Sequence, residues 1–209
     1  MLDTIAPRRC AGCGEPAAWA LCPDCVELLH TLAPPPPCRA GSTTCHAAFP
    51  FAGPVRRALH HGKYRGRRSA LHLLACLAAE RLAPYLACHA PRPLGVVAIP
   101  LGDRRRRSRG YNQAAVVAAV LAQLPAGGPL LDGLIRARET RTQVGRTAID
   151  RRANLDGAFI WRGAPLPEGA VLWLVDDVVT TGATLDAAAN ALQRAGAGRI
   201  EAVAASAAP

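Results

Sequence analysis

The sequence of 209 residues is poor in aromatic side chains and has no long apolar run. Phe, Trp and Tyr make up 4% of the residues, so we see no platform of stacked rings for the bases of a single-stranded nucleic acid. No apolar run approaches the roughly 20 residues that a bilayer-crossing helix needs, which predicts no membrane span. Residues 1–13 also lack the apolar segment of a secretory signal, and we therefore expect a cytoplasmic protein.

Acidic residues are outnumbered as well. The chain has 15 Asp and Glu against 25 Lys and Arg, which gives a formal net charge of +10. Such a balance favours anionic partners, chiefly nucleic acid or phosphate-rich ligands. Because a general bias toward arginine would raise the charge in the same way, the positions of the charges are more informative than their sum.

The most informative segment joins an apolar strand to a helix through two acids and a short hydroxyl-rich loop. Residues 171–175 predict a buried strand, and a helix-like stretch starts at Thr184. Hydroxyls, a glycine that permits close backbone approach and unpaired amides at a helix N-terminus can together bind a phosphate. The ligand-binding residues predicted in this segment are Asp176, Asp177, Thr180, Thr181, Gly182 and Thr184.

The two acids predict a second kind of contact. Carboxylates repel a phosphate but accept hydrogen bonds from vicinal hydroxyls, so acids beside a phosphate loop fit a ribose 5-phosphate. The alternative is an ordinary strand-to-helix turn, since Thr and Asp favour helix N-termini in any case. The uninterrupted run from strand to acids to Thr-Gly loop favours the sugar-phosphate interpretation.

Four cysteines near the start of the chain are spaced as metal ligands. Cys10 and Cys13 form one pair and Cys22 and Cys25 a second, with two residues inside each pair. Two such pairs can converge on one tetrahedral Zn2+, and in a chain without a secretory signal this spacing indicates a metal rather than disulfides. A redox function would need only one pair. We predict a structural zinc ion.

The zinc ligands define a small module at residues 1–33. A helix predicted after Cys22 ends before four consecutive prolines, and such a run is a stiff spacer. We therefore predict a Pro-rich linker at 34–53 and a main domain at 54–209. Cys38 and Cys45 fall in the linker and are either the remnant of a second metal knuckle or, as their spacing favours, buried thiols.

The main domain alternates helical and extended patterns. Helices are predicted in two pieces across 54–89, broken at Gly62 and Gly66, and at 112–124 and 184–195; strands are predicted at 94–99, 130–135, 158–161, 171–175 and 199–206. This alternation predicts an α/β fold with a mostly parallel sheet. Ligands of such sheets lie beyond the carboxyl ends of the strands, where the two acids are expected.

Three further segments are expected to border the same edge. Residues 104–109 carry five arginines, which suit a pyrophosphate, a nucleic-acid backbone or simply solvent. Residues 136–154 are polar and long enough for a mobile flap, with disorder as the alternative. The only lysine lies between two glycines, where it either reaches a phosphate or faces solvent. The candidates for pyrophosphate or nucleic-acid contact are Lys63, Arg104, Arg105 and Arg109.

In order along the chain, these segments resemble the ComF (ComFC/GntX) family. The resemblance is carried by the two cysteine pairs, residues 63–66, residues 109–113, Thr142 with Gln143, Arg151, Asn154, Phe159 and the Asp-Asp loop. It implies an N-terminal zinc finger joined to a domain of the type I phosphoribosyltransferase fold. It also implies a pocket for phosphoribosyl diphosphate (PRPP) with Mg2+, and a link to natural competence, the uptake and processing of single-stranded DNA.

The sequence departs from the family pattern at two places. Only Cys38 and Cys45 remain of a second cysteine pair, and Arg146 stands where an aliphatic residue is usual. Two functions stay open: phosphoribosyl transfer to an acceptor base, or non-catalytic sensing of PRPP or a nucleotide by a protein that engages single-stranded DNA or a DNA-uptake helicase. We assign no general acid or base.

Overall fold

The computed structural model describes residues 8–41, 43–64, 68–137, 155 and 157–208. Predicted elements at 138–154, including Thr142, Gln143, Arg146, Arg151 and Asn154, and residues 65–66 of the lysine segment lie outside this range. The helices within it are α1 (Pro23–Thr31), α2 (Gly53–Tyr64), α3 (Arg68–His89), α4 (Asp103–Arg109), α5 (Gln113–Ala122) and α6 (Ala183–Arg194). The strands are β1 (Cys38–Ala40), β2 (Thr43–Pro50), β3 (Gly95–Ala98), β4 (Leu134–Arg136), β5 (Phe159–Trp161), β6 (Ala170–Val179) and β7 (Ala197–Ala207).

A five-stranded sheet forms the centre of the molecule, in the order β1-β2-β7-β6-β3. Its last four strands are mutually parallel, and β1 pairs antiparallel with β2 at one edge. The prediction of an α/β fold with a mostly parallel sheet is confirmed. Because the four strands run the same way, their carboxyl ends share one edge of the sheet.

Side chains on the central strand β6 divide the core into two layers. Trp173 and Val175 pack with the helices α2, α3 and α5 on one face, whereas Leu172 and Leu174 pack with α6 and the two-stranded sheet β4–β5 on the other. The alternation follows from the strand period of two. A strand buried on both faces therefore has an apolar residue at each position before its acids.

Helix α3 is the one described helix that is long and apolar enough to cross a bilayer by length and composition. It packs as a core helix: Leu71, Leu74 and Leu86 are fully buried in the same cluster as Trp173. Its leucines therefore serve to pack the helix against the central sheet.

The predicted linker at 34–53 is wrong for residues 38–40 and 43–50, which form β1 and β2. Cys45 and Ala47 of β2 lie opposite Ala202 and Ala204 of β7, so this segment belongs to the central sheet. The four prolines end before β1, and the short alternation of buried residues after them pairs with a strand at the other end of the chain. The stiff spacer is therefore confined to the prolines themselves.

The predicted helix break at Gly62 is also wrong, since α2 continues through it to Tyr64. A Cβ atom at position 62 would lie 3.2 Å from Leu71 Cβ and 3.3 Å from Tyr111 Oη. The glycine permits this close packing and costs the helix only about 1 kcal/mol relative to alanine.

The cysteine-rich segment lies directly on the main domain. Cys10, Leu21 and Leu29 belong to the same hydrophobic cluster as Val55 and Leu59 of α2. Arginines of the main domain reach back to it: Arg57 donates to Gly12 O, and Arg81 Nη2 donates to His30 O at 2.8 Å. The segment thus shares a core with α2 and α3.

Candidate functional site

The two acids lie inside β6, and the prediction that the strand ends before Asp176 is wrong. The neighbouring strand β7 continues past them, with Asp176 opposite Ala204 and Val179 opposite Ala207. On the other side, β3 ends at the pair Ala98–Val175. The acids therefore lie one step beyond the end of β3, still at the carboxyl edge of the sheet.

Successive side chains of a strand point to opposite faces, and the acids follow this rule. Asp177 is buried, with 9% of its surface exposed, and its Oδ2 atom forms an ion pair with Lys63 of α2. Asp176 is half-buried on the α6 face, where its charge acts on Cys45 of β2. The amide of Asp177 donates to Asp176 Oδ1 at 2.8 Å and so fixes the orientation of that carboxylate.

The pKa of the Asp176 carboxyl lies well above its usual range. Burial is the largest cause, and the adjacent negative charge of Asp177 adds to it, while Lys63 acts in the opposite direction. A hydrogen-bond donor or a cation that reaches this carboxylate would stabilise its charged form.

The loop after β6 leads into α6 through a glycine with a left-handed backbone. Gly182 has φ +72° and ψ −6°, a conformation that other residues rarely adopt, and no side chain caps the helix there. The first amides of α6 are thus without a side-chain cap, which suits an anion. Thr180 and Thr181 are exposed, and Thr184 is half-buried in the first turn.

Lys63 is held at the acids by contacts that the sequence did not predict. Tyr111 Oη donates to the carbonyl of Gly62 at 2.6 Å, next to the lysine on α2. The guanidinium of Arg68 lies over the Tyr111 ring, 4.7 Å from its centroid. Tyr111 therefore supports the end of α2.

The residues on either side of Tyr111 hold the segment between β3 and α5 in place. Asn112 Nδ2 donates to Ile99 O at 2.8 Å, while its Oδ1 caps α5 by accepting from the Ala114 amide at 3.2 Å. Arg109 Nη1 donates to the fully buried Gln113 at 3.0 Å. Arg109 is thus tied to the framework of the site.

The candidate site has two parts at one sheet edge: an uncapped helix N-terminus after a Thr-Gly loop, and two acids with a lysine. The family model described as the phosphoribosyl transferase domain matches residues 77–209, which include the loop, the start of α6 and both acids, whereas Lys63 precedes the matched residues. The chain belongs to the phosphoribosyltransferase family. The prediction of its fold is thereby confirmed.

Curated relatives extend the similarity over nearly the whole chain. The DNA utilization protein YhgH of Escherichia coli (strain K12) is 32% identical over 199 residues, which cover 92% of this chain and 81% of that protein. Competence protein ComFC of Streptococcus pneumoniae is 26% identical over 196 residues, 93% of this chain and 79% of that protein. Competence protein F of Haemophilus influenzae is 37% identical over 112 residues, 52% and 48% of the two chains. The resemblance to the ComF family is confirmed.

The phosphoribosyltransferase domain carries a basic helix at the carboxyl edge of β3. Helix α4 holds Arg104, Arg105 and three further arginines, and none of its residues is buried. Asp103 pairs with Arg106 at 3.6 Å on its exposed surface. The arginines thus lie on a short helix beside the site; Arg104 to Arg107 are exposed, whereas Arg109 is half-buried against Gln113.

The four predicted zinc ligands lie together at the other end of α2. The Sγ atoms of Cys10, Cys13, Cys22 and Cys25 are all within 4.8 Å of one another, and those of Cys13 and Cys22 are 3.6 Å apart. Tetrahedral Zn2+ with bonds of about 2.3 Å places its sulfur ligands roughly 3.8 Å apart, so the cluster can hold a zinc ion.

Backbone amides support this fit. The amides of Gly12 and Cys22 each donate to Cys10 Sγ at 3.2 Å. Burial acts to raise the pKa of Cys10, but hydrogen bonds from the backbone outweigh it and lower the pKa to about 6. Donors aimed at a sulfur favour its thiolate, which is the form that binds metal.

Proposed function

We propose that this chain binds PRPP, with its ribose 5-phosphate between β6 and α6. The observation that supports this best is the position of Asp177, a buried acid at the carboxyl edge of β6, just before the loop that leads to the uncapped N-terminus of α6. A carboxylate would repel a phosphate placed directly on it. It accepts hydrogen bonds from sugar hydroxyls, so the pair of neighbouring features fits a sugar that carries a phosphate.

The loop supplies the groups for the 5-phosphate. Thr180, Thr181 and Thr184 would donate from their hydroxyls, and the backbone at Gly182 would donate from the first amides of α6. Together these groups would direct their dipoles at one anion. Asp176 and Asp177 would accept from the 2- and 3-hydroxyls of the ribose, which would relieve part of the cost of burying the carboxyl of Asp176.

Lys63 would change partner when PRPP binds. In the unbound protein its ammonium neutralises Asp177. A ribose hydroxyl on Asp177 would leave that ammonium to the negatively charged pyrophosphate, together with Arg104, Arg105 and Arg109. Mg2+, when bound through oxygen ligands, would neutralise further charge on the pyrophosphate.

The reaction that these groups favour is phosphoribosyl transfer. The bond between ribose C1 and the pyrophosphate oxygen breaks, and a bond from C1 to a nitrogen of the acceptor base forms. The described residues would contribute by positioning and by stabilising the departing charge. No described residue is assigned as an acid or a base for this step.

The setting that we propose is competence-related processing of single-stranded DNA in the cytoplasm. Relatives named DNA utilization protein and competence protein support it. The zinc module and α4 would contact the DNA or a DNA-uptake helicase. The exposed arginines of α4 make a phosphate backbone the natural partner of that helix.

Calorimetric titration of PRPP with Mg2+ tests the pocket. Asp177→Asn removes one carboxylate acceptor and is expected to weaken binding at least about tenfold, equivalent to about 1.4 kcal/mol. Glu168→Gln is the matched control, because Glu168 is exposed before β6, at the opposite edge of the sheet. Equal affinities of Asp177→Asn and the unchanged protein would reject the site.

A non-catalytic sensor is the second candidate, favoured by the exposed arginines of α4. Pyrophosphate release from PRPP with any of the common nucleobases supports transfer, whereas tight PRPP binding without release supports sensing. In either case the affinity for a single-stranded oligonucleotide should fall steeply with salt. Arg104→Ala with Arg105→Ala should flatten that slope, while Arg194→Ala, exposed at the far end of α6, should not.

A further inference from the structure

Two cysteines that the proposed function leaves unused face each other across the first strand pair. Cys38 of β1 and Cys45 of β2 are register partners. Opposed residues of an antiparallel pair have Cα atoms about 4.5 or 5.5 Å apart. Both separations lie within the range of about 4.4–6.8 Å that a disulfide bridges, so the Cα separation of this pair suits a disulfide.

The two sulfurs differ in environment. Cys45 is fully buried, whereas Cys38 is half-buried and reachable from solvent. The neighbouring Cys45 side chain is the main cause that lowers the pKa of Cys38, to about 7, despite burial. The same interaction raises the pKa of Cys45, to which burial and the charges of Cys38 and Asp176 add.

This difference in environment gives the two cysteines different roles. The lowered pKa gives Cys38 more thiolate character at pH 7 than an ordinary cysteine with a pKa near 8.5. Cys45 stays a thiol directly beside it. A reactive, accessible thiolate next to a second thiol is the arrangement of a redox-sensing pair.

A second metal site does not account for the pair. Among the described residues, only the four cysteines of the zinc cluster gather three or more ligand groups of His, Cys, Asp or Glu. Two thiols alone leave a tetrahedral metal half-coordinated.

We propose that Cys38 and Cys45 form a reversible, peroxide-reactive disulfide. The Cys38 thiolate attacks one oxygen of hydrogen peroxide, the O–O bond breaks, and a sulfenic acid forms as hydroxide leaves and takes a proton from solvent to become water. The sulfur of Cys45 then attacks the sulfenic sulfur, the S–O bond breaks, and a second water leaves with the proton of Cys45. Both thiols are oxidised, one peroxide is reduced to two waters, and a dithiol reductant reverses the bond.

The bond would act on the strand pair β1–β2, which contacts α6. A Cβ atom at Gly41, in the turn between β1 and β2, would be 1.8 Å from Asp186 Oδ1 in the first turn of α6. The turn and α6 are therefore in close contact. The disulfide would stiffen the turn between β1 and β2. This turn contacts α6, whose N-terminus faces the proposed ligand.

Peptide mapping of the zinc-loaded chain after brief peroxide treatment tests the proposal. Cleavage after Arg and Glu separates residues 28–39, whose one cysteine is Cys38, from residues 40–56, whose one cysteine is Cys45. We expect these two peptides joined, with a mass lower than their sum by two hydrogen atoms, and separated again by dithiothreitol. Both peptides still carrying free thiols after Cys88 has been oxidised would overturn the proposal.

Variants distinguish the two roles without depending on the disulfide. In Cys45→Ala, peroxide should leave Cys38 as a sulfenic acid that dimedone labels, and no label would refute its assignment as the attacked group. Iodoacetamide at pH 7 should modify Cys38 of the unchanged protein about tenfold faster than an ordinary thiol. Cys88→Ser, a change at an exposed cysteine of α3, should preserve the joined peptides; their loss would count against the pair.

Discussion

Lys63 and Asp177 form an ion pair between the last turn of α2 and the carboxyl edge of β6. Their side chains are only 17% and 12% exposed, so water screens the pair little. The pair joins two elements that are more than a hundred residues apart in the sequence. Through this pair, the positive charge of Lys63 at the end of α2 belongs to the proposed ligand site.

A double-mutant cycle should detect this pair. Lys63→Met leaves Asp177 buried without a partner, and we expect a loss of about 1–3 kcal/mol in the free energy of unfolding. Combined with Asp177→Asn, it should give a coupling of about 1 kcal/mol. The exposed pair of Asp103 and Arg106 is the control, with an expected coupling below about 0.5 kcal/mol. Equal couplings in urea unfolding would contradict this prediction.

Asp176 should cost the unbound protein stability at neutral pH. Its pKa is raised in the folded chain, so the folded state binds the proton more tightly, and stability falls as pH rises from about 4 through the folded pKa. Asp176→Asn keeps an acceptor for the Asp177 amide. It should therefore raise stability at pH 7 by on the order of 1 kcal/mol while weakening PRPP binding. An unchanged pH profile of urea midpoints would refute the assignment.

Gly182 should matter for ligand binding as well as for the backbone. Gly182→Ala forces a side chain into the left-handed region at a cost of about 1 kcal/mol, and Gly169→Ala, with φ +76° before β6, should cost a similar amount. Only Gly182 adjoins the amides proposed for the phosphate. We expect PRPP affinity to drop at least about tenfold for Gly182→Ala alone. A parallel drop for Gly169→Ala would indicate a general effect on folding.

Loss of one cysteine should empty the zinc cluster. Cys13→Ser removes one of four ligands, and metal analysis should then find well below one zinc per chain. Because Cys10 and Leu21 share a core with α2, thermal unfolding of the whole chain should also shift downward. Cys88→Ser, exposed on α3, should change neither quantity. Unchanged zinc content in Cys13→Ser would reject the assignment of the ligands.

The sequence predicted the features that are encoded locally. The acids, the Thr-Gly loop and the start of α6 follow one another along the chain, and the cysteine spacing is likewise local. Strand β2 was missed because its partner is β7, so that Cys45 lies opposite Ala202. No window of sequence contains both strands.

The contacts around the site were missed for the same reason. Tyr111 reaches Gly62 across 49 positions, and Lys63 reaches Asp177 from another layer of the fold. A lysine between glycines and a tyrosine after arginines carry no local sign of these partners. The helical state of α4 was also hidden, because a run of arginines has no apolar stripe that marks a helix face.

Helix α2 contacts the cysteine cluster at one end and Asp177 at the other. A Cβ atom at Gly12 would lie 3.0 Å from Pro54 at its start, Arg57 in its first turns reaches Gly12 O, and Lys63 ends it against Asp177. Its 12 residues make a rod of about 18 Å. A helix of this length moves as a rigid unit. Metal binding at the cysteine end and sugar binding at the proposed site would therefore act on the same helix.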